Sequence, residues 1–189
     1  MLLPARHITV AALAAIMLIC GCAEQPASLR TVAAVEVPLR TPADRADLLA
    51  MLRRHADAGG LHVDDVTQSW HTFRKSAPPD EPPAATDVLT KTIYVHLYRG
   101  PDDEGPEVVV DDGGHQGRPW LRFLRGKQPE LALRVRTRLL SDIKRRWPDA
   151  REVPVTGTGG VPLEQDLVWT GTTYALKPER LAAYAPRNR

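Results

Sequence analysis

Carboxylates and a histidine meet in one short segment of the chain, residues 111–115. Asp111, Asp112 and His115 would bring oxygen and nitrogen ligands for a hard or borderline cation within five positions. No further ligand stands at a diagnostic spacing, and Asp-Gly is also the pair that a tight turn requires. We therefore predict a hairpin turn here and no metal site.

Serine hydrolysis would need a nucleophile, a base within reach and an oxyanion donor. Ser69 stands near His71, and Ser141 precedes Asp142, but neither serine lies in a Gly-x-Ser-x-Gly elbow. The glycine-rich segment 156–160 is not followed by the Lys-Ser/Thr pair that completes a phosphate-binding loop. The sequence favours a protein that is not an enzyme, with a hydrolase as an alternative, and assigns no catalytic residue and no cofactor.

Two cysteines, Cys20 and Cys22, follow an N-terminal apolar stretch, 8–19, which itself follows Arg6. A basic residue before an apolar run is typical of an export signal, and the small Gly21 gives a peptidase room to cut. Twelve residues are too few to span a membrane, because a spanning helix needs about 20 apolar residues. We predict that residues 1–21 are a signal peptide and that the mature chain begins at Cys22.

This arrangement resembles the signal of bacterial lipoproteins, with Ile19, Cys20 and Gly21 in the positions that the signal peptidase recognises. The resemblance implies a diacylglycerol thioether on Cys22 and an acylated amino group. Two or more acyl chains hold a protein stably on a membrane, whereas one chain is marginal. Ala23 follows the cysteine where Asp would favour the inner membrane, which implies the outer membrane, facing the periplasm, in a host with two membranes.

Other outcomes at the N-terminus stay open. One is an uncleaved anchor and another is a conventional signal cut elsewhere. Lipidation of Cys20 is a third, although it would place the bulky Ile19 directly before the cleaved bond.

The mature chain has no thiol left for a disulfide, so its stability must come from its core. Its 168 residues are enough for one domain after a lipidated tether, 22–31. The 24 basic and 23 acidic residues nearly balance, so bulk charge indicates no partner.

Charge is distributed unevenly along this domain. The segment 80–112 holds nine acidic residues and two basic ones, whereas 118–151 holds eleven basic residues and three acidic ones. The two segments neutralise one another in the fold, or form solvated faces, or present a basic side to an anionic partner. Arg134, Arg138 and Arg145 are the candidate contacts with such a partner, because they lie away from the apolar stripe of a predicted helix.

Apolar periodicity predicts a single α+β domain over 32–189. Thr41 and Pro42 begin one amphipathic helix, and Gln128 and Pro129 begin a second. Alternating segments predict a mostly antiparallel sheet, with both helices packed on one face. The four prolines within 77–86 predict a long loop, with a proline-rich docking ligand as the alternative.

These features together predict a cell-envelope lipoprotein that binds a protein partner, in envelope assembly, secretion or toxin immunity. The alternative is an assembly factor that binds lipid or glycan through the basic region 118–151. The basic helix could bind phosphates, but an exported, lipid-anchored domain does not meet cytoplasmic nucleic acid, so we predict no nucleic-acid partner.

Overall fold

The computed structural model describes residues 27–68, 93–100, 106–111 and 118–185. These ranges form a single mixed α+β fold with an antiparallel six-stranded sheet, which confirms the predicted fold class. The helices are α1 (Pro42–Gly59) and α2 (Pro129–Arg146), and short 3-10 helices cover Ala27–Leu29, Glu164–Asp166 and Pro178–Tyr184. The strands are β1 (Thr31–Glu36), β2 (His62–Asp65), β3 (Val95–Tyr98), β4 (Val108–Asp111), β5 (Trp120–Leu124), β6 (Arg151–Val153), β7 (Leu167–Trp169) and β8 (Tyr174–Leu176).

The larger sheet has the strand order β2-β3-β4-β5-β1-β6, and its neighbouring strands pair antiparallel. Strands β2 to β5 pair in chain order and form an antiparallel meander. Strand β1 lies between β5 and β6, where Val35 pairs with Leu121 on one side and Glu152 on the other. Helix α1 therefore connects β1 to the far edge of the sheet, and α2 connects β5 to β6.

The main core lies between one face of this sheet and the two helices. Strand residues at alternate positions point into it, as the period of a strand requires. Both helices contribute a buried stripe, and Leu52 and Leu139 are fully buried. The buried strand residues that pack against the helices are Val35, Val95, Leu97, Val108, Val110, Leu121 and Phe123.

Both ends of α1 follow from its sequence. Thr41 accepts a hydrogen bond from the Asp44 backbone, and the Asp44 carboxylate accepts one from the Thr41 backbone, so the two residues form a capping box. Gly60 ends the helix with φ of 66°, in the left-handed region that glycine occupies at low cost. The predicted amphipathic helix is confirmed.

The second face of the sheet is covered at β1, β5 and β6 by the C-terminal part of the chain. Ala34, Trp120 and Val153 on the sheet form a smaller buried cluster with Leu167 of β7. The β7–β8 hairpin therefore forms a third layer over part of the sheet. This packing joins segments far apart in sequence, so local patterns do not predict it.

One edge of the fold, formed by 27–30, 125–128 and 156–160, is named here the N-terminal edge. Backbone N–H groups of Arg125 and Gly126 donate to the Arg30 and Ser28 carbonyls, each at 2.9 Å. Thr31, which the sequence assigned to the tether, is the first residue of β1 and donates to the Gly159 carbonyl at 2.9 Å. The chain is thus held to the fold from its first described residues.

Several predicted features lie outside the described residues. They are the signal 1–21, the start of the tether, the loop 77–86 and the turn after Asp111. In the parts of the chain that are described, no helix is long and apolar enough to cross a membrane.

Candidate functional site

The predicted contacts Arg134, Arg138 and Arg145 lie on one exposed stripe of α2. Their spacings of four and eleven residues bring them within about 40° of one another around the helix. The stripe runs about 16 Å along the helix axis. It points away from the buried face of α2 formed by Val135 and Leu139.

A groove of about 340 Å³ runs between α1 and α2 beside this stripe. Its wall carries acidic, basic and apolar side chains together, so it suits a mixed surface rather than a ligand of one charge. The residues that line it are Asp47, Ala50, Met51, Arg54, Asp142, Arg145 and Arg146.

Asp142 connects the two helices at the groove. His55 of α1 lies with Nε2 2.9 Å from the Asp142 carboxylate, and Arg145 donates to the other oxygen at 2.9 Å. The hydrogen bond from His55 and the charge of Arg145 lower the pKa of Asp142, against a smaller opposing effect of burial. A histidine beside a carboxylate is also a component of hydrolase sites, but Ser141 makes no hydrogen bond to His55 in the described structure.

The C-terminal turn of α2 is largely neutralised by neighbouring carboxylates. Arg146 donates to Asp47 at 2.8 Å and Asp44 at 3.1 Å, and Lys144 lies 2.5 Å from Glu152. The hydrogen bond to Asp47 is the largest effect that raises the pKa of Arg146. This end of the basic segment therefore presents paired charges.

Arg134 and Arg138 differ from the residues of that turn in their ion pairing. Both are exposed, and neither forms an ion pair within the described ranges. Of the three predicted contacts, Arg145 is exposed over 75% of its side chain yet paired with Asp142. The structure thus brings the three residues onto one surface, with two of them carrying charge that the described fold does not compensate.

The acidic and basic segments also neutralise one another in part. Arg122 of β5 pairs with Asp111 of β4 on the second face of the sheet. Nearby, His96 Nδ1 lies 3.0 Å from the Tyr98 hydroxyl, and burial lowers the pKa of His96 although the charge of Asp64 opposes this. A neutral imidazole follows at neutral pH.

Sequence reasoning missed a buried carboxylate, Glu36, whose side chain has no exposed surface. Arg118 Nε donates to it at 2.6 Å, the Tyr174 hydroxyl lies 3.1 Å away, and Trp120 Nε1 donates at 3.4 Å. Burial is the main cause that raises the pKa of Tyr174, and the carboxylate adds to it. The only sequence signal was a Glu ending an otherwise apolar strand.

Arg151 extends this cluster toward the surface. Its guanidinium lies 4.0 Å from the ring centroid of Trp169 and donates to the Tyr174 hydroxyl at 3.4 Å. A charged group stacked on an indole gains cation–π stabilisation. The cluster joins the sheet to the β7–β8 hairpin and uses its polar groups for that contact.

The lipidation site Cys22 and the recognition residues Ile19, Cys20 and Gly21 precede the described residues, so they remain a prediction. The described residues contain no group of three or more potential metal ligands. Comparison with protein-family models, curated proteins and solved structures finds no match for this chain. The surface formed by the Arg134, Arg138 and Arg145 stripe and the adjoining groove, named here the helical surface, is the candidate site.

Proposed function

We propose that this protein is a membrane-anchored envelope lipoprotein that acts without catalysis, by binding a protein partner through the helical surface. The anchor is the predicted lipid on Cys22, and the proposed location is the outer membrane, facing the periplasm, in a host with two membranes. The roles this fits are envelope assembly, secretion or the neutralisation of a toxin.

One observation supports this proposal above the others: Arg134 and Arg138 are exposed and without an ion pair in the described structure, beside an open groove. Charges that a fold leaves uncompensated attract a partner of the opposite sign and accelerate its approach. An acidic protein surface carries the negative charge that would complement Arg134 and Arg138.

The composition of the groove favours a protein over a uniform polyanion. Asp47 pairs with Arg146, and Asp142 pairs with Arg145, so these arginines of the groove present little net positive charge to a chain of phosphates or sulfates. Ala50 is exposed and offers apolar contact in the same groove. Protein interfaces combine these kinds of contact.

Anchoring strengthens such an interaction. Confining the domain to one membrane surface raises the effective concentration of a partner in the same envelope. Contacts that would be weak in free solution then suffice for a stable complex.

Crosslinking in cells tests the proposal. With the lipidated protein as bait, we expect one envelope or exported protein to be enriched, and the Arg134→Glu/Arg138→Glu variant to reduce its yield at least about tenfold, as two charge reversals at an interface imply. Arg53→Glu is the matched control, because Arg53 is exposed on α1, outside the groove. If only lipid or glycan is recovered, and high-salt washes remove it, the result would favour the alternative polyanion binder.

A further inference from the structure

The connection between Cys22 and the folded domain is short. Four residues, 23–26, separate Cys22 from Ala27, the first residue of the described fold. A fully extended chain covers at most about 3.5 Å per residue, so Ala27 lies within about 18 Å of a lipidated Cys22. If the proposed anchor is correct, Ala27 cannot lie farther than this distance from the lipidated cysteine.

The N-terminal edge carries basic side chains next to that attachment. Arg125 and Lys127 are exposed in the connection between β5 and α2. The backbone of Arg125 is bonded to Arg30, and that of Gly126 to Ser28, so this connection lies directly beside the start of the described chain. Val32, the second residue of β1, is exposed over 42% of its surface and adds an apolar group close to this edge in the sequence.

The opposite end of the domain is distant. Helix α2 begins beside the N-terminal edge. Arg146 at its other end contacts Asp44 in the first turn of α1, so the end of α2 and the start of α1 lie together at the opposite end of the domain. Sixteen residues of helix, about 24 Å, separate Ala43 from Gly59 at the other end of α1. Salt screens charges over about 8–10 Å, so the described charges at the start of α1 would not reach a membrane that touches the N-terminal edge.

We infer that the N-terminal edge lies against the anchoring membrane, with Arg125 and Lys127 bound to the phosphates of anionic phospholipid headgroups. This inference rests on the proposed lipidation of Cys22 and goes beyond it by assigning the orientation of the domain. Basic residues close to an anionic surface contribute attraction of this kind. Helix α2 then leads away from the membrane, which leaves Arg138 and Arg145 accessible to the proposed protein partner.

One carboxylate near this edge limits the contact. Glu130 is exposed in the first turn of α2. The proposed contact therefore does not include this turn.

Site-specific quenching tests the orientation. The mature chain has no cysteine other than Cys22, so an introduced cysteine is the one free thiol of the lipidated protein. Thr158→Cys places a fluorophore on the N-terminal edge, and Ala43→Cys places it at the opposite end; both positions are exposed. The lipidated protein is reconstituted in phosphatidylcholine vesicles containing phosphatidylglycerol and a nitroxide-headgroup lipid.

We expect severalfold stronger quenching at position 158 than at position 43. Mass spectrometry of the same sample reports the lipid on Cys22. Equal quenching in lipidated protein would overturn the orientation and leave the anchor intact, whereas protein without lipid on Cys22 would overturn both.

Charge reversal tests the phosphate contact. In the Thr158→Cys background, Arg125→Glu/Lys127→Glu should lower the fraction of protein quenched at position 158 at least about fivefold. Each basic residue near an anionic surface strengthens binding to it by about that factor. Lys144→Glu is the matched control, because Lys144 is exposed and lies about 24 Å along α2 from the edge, and it should leave quenching unchanged. Unchanged quenching in the double variant, with folding verified by circular dichroism, would overturn the phosphate contact.

Discussion

Charged side chains of this protein fall into two groups that differ in burial. Glu36 is fully buried and paired with Arg118, whose side chain is 30% exposed. Glu152 is 68% exposed and paired with Lys144. Removing one partner of a buried pair leaves a charge without compensation, whereas exposed pairs contribute little because water already solvates both groups.

Substitution of Glu36 should therefore destabilise the fold strongly. We expect Glu36→Gln to lower the free energy of unfolding by about 3 kcal/mol, because Arg118 loses its charge partner within a buried cluster. Glu152→Gln, the exposed control, should cost at most about 0.5 kcal/mol. Urea unfolding measures both values, and equal losses would contradict the structural role of the Glu36 cluster.

At the scale of elements, one carboxylate joins the start of α1 to the end of α2. Asp44 accepts hydrogen bonds from the backbone and hydroxyl of Thr41, from Trp147 and from Arg146. Burial alone would raise the pKa of Asp44, but the hydrogen bonds from Thr41, Trp147 and Arg40 together outweigh it and lower the pKa. The two helices are thus linked by a group that must be ionised to hold them.

This linkage predicts a pH dependence of stability. A carboxyl whose folded-state pKa is lowered contributes stability above its ordinary value of 3.8, and this contribution is lost as the pH falls from there through the lowered pKa. We expect Asp44→Asn to be less stable than the parent at neutral pH and to lose less stability in acid. Asp57→Asn, exposed in the last turn of α1, serves as control. Urea midpoints measured from pH 6 to pH 2 test this, and parallel curves for Asp44→Asn and the parent would contradict it.

The elements themselves were largely predictable because local signals define them. Thr41 and Gly60 bound α1 as capping rules require, and Pro129 begins α2. Alternation identified the strands of the meander, but it does not specify which strands become neighbours. The insertion of β1 between β5 and β6 depends on contacts between residues far apart in sequence, such as Val35 with Leu121.

The candidate site was predictable only in part. Exposure of Arg134 and Arg138 follows from helical periodicity, which is local. The pairing of Arg145 with Asp142, and of Asp142 with His55, needs the packing of α1 against α2. Glu36 was missed for the same reason, because Arg118 and Tyr174 reach it from distant segments.

At the scale of the whole molecule, the proposed anchor and the fold together would orient the domain relative to the membrane. The tether would lead into the N-terminal edge, α2 begins at that edge, and the helical surface extends from it toward the opposite end. A single modified residue would therefore set both the location of the domain and the direction in which its binding surface faces. Loss of that residue should affect localisation without affecting folding, because Cys22 precedes the described fold.

Cys22→Ser tests this separation. We expect the variant to lose incorporation of labelled palmitate and to accumulate as unprocessed precursor, since the lipid attaches through the thiol that serine lacks. Cys20→Ser is the matched control and should be labelled and processed normally. Labelling that persists in Cys22→Ser and disappears in Cys20→Ser would move the anchor to Cys20, lengthen the tether by two residues and extend the reach of Ala27 by about 7 Å. The N-terminal edge would still be the part of the domain held nearest the membrane, because both cysteines lie on the same side of Ala27.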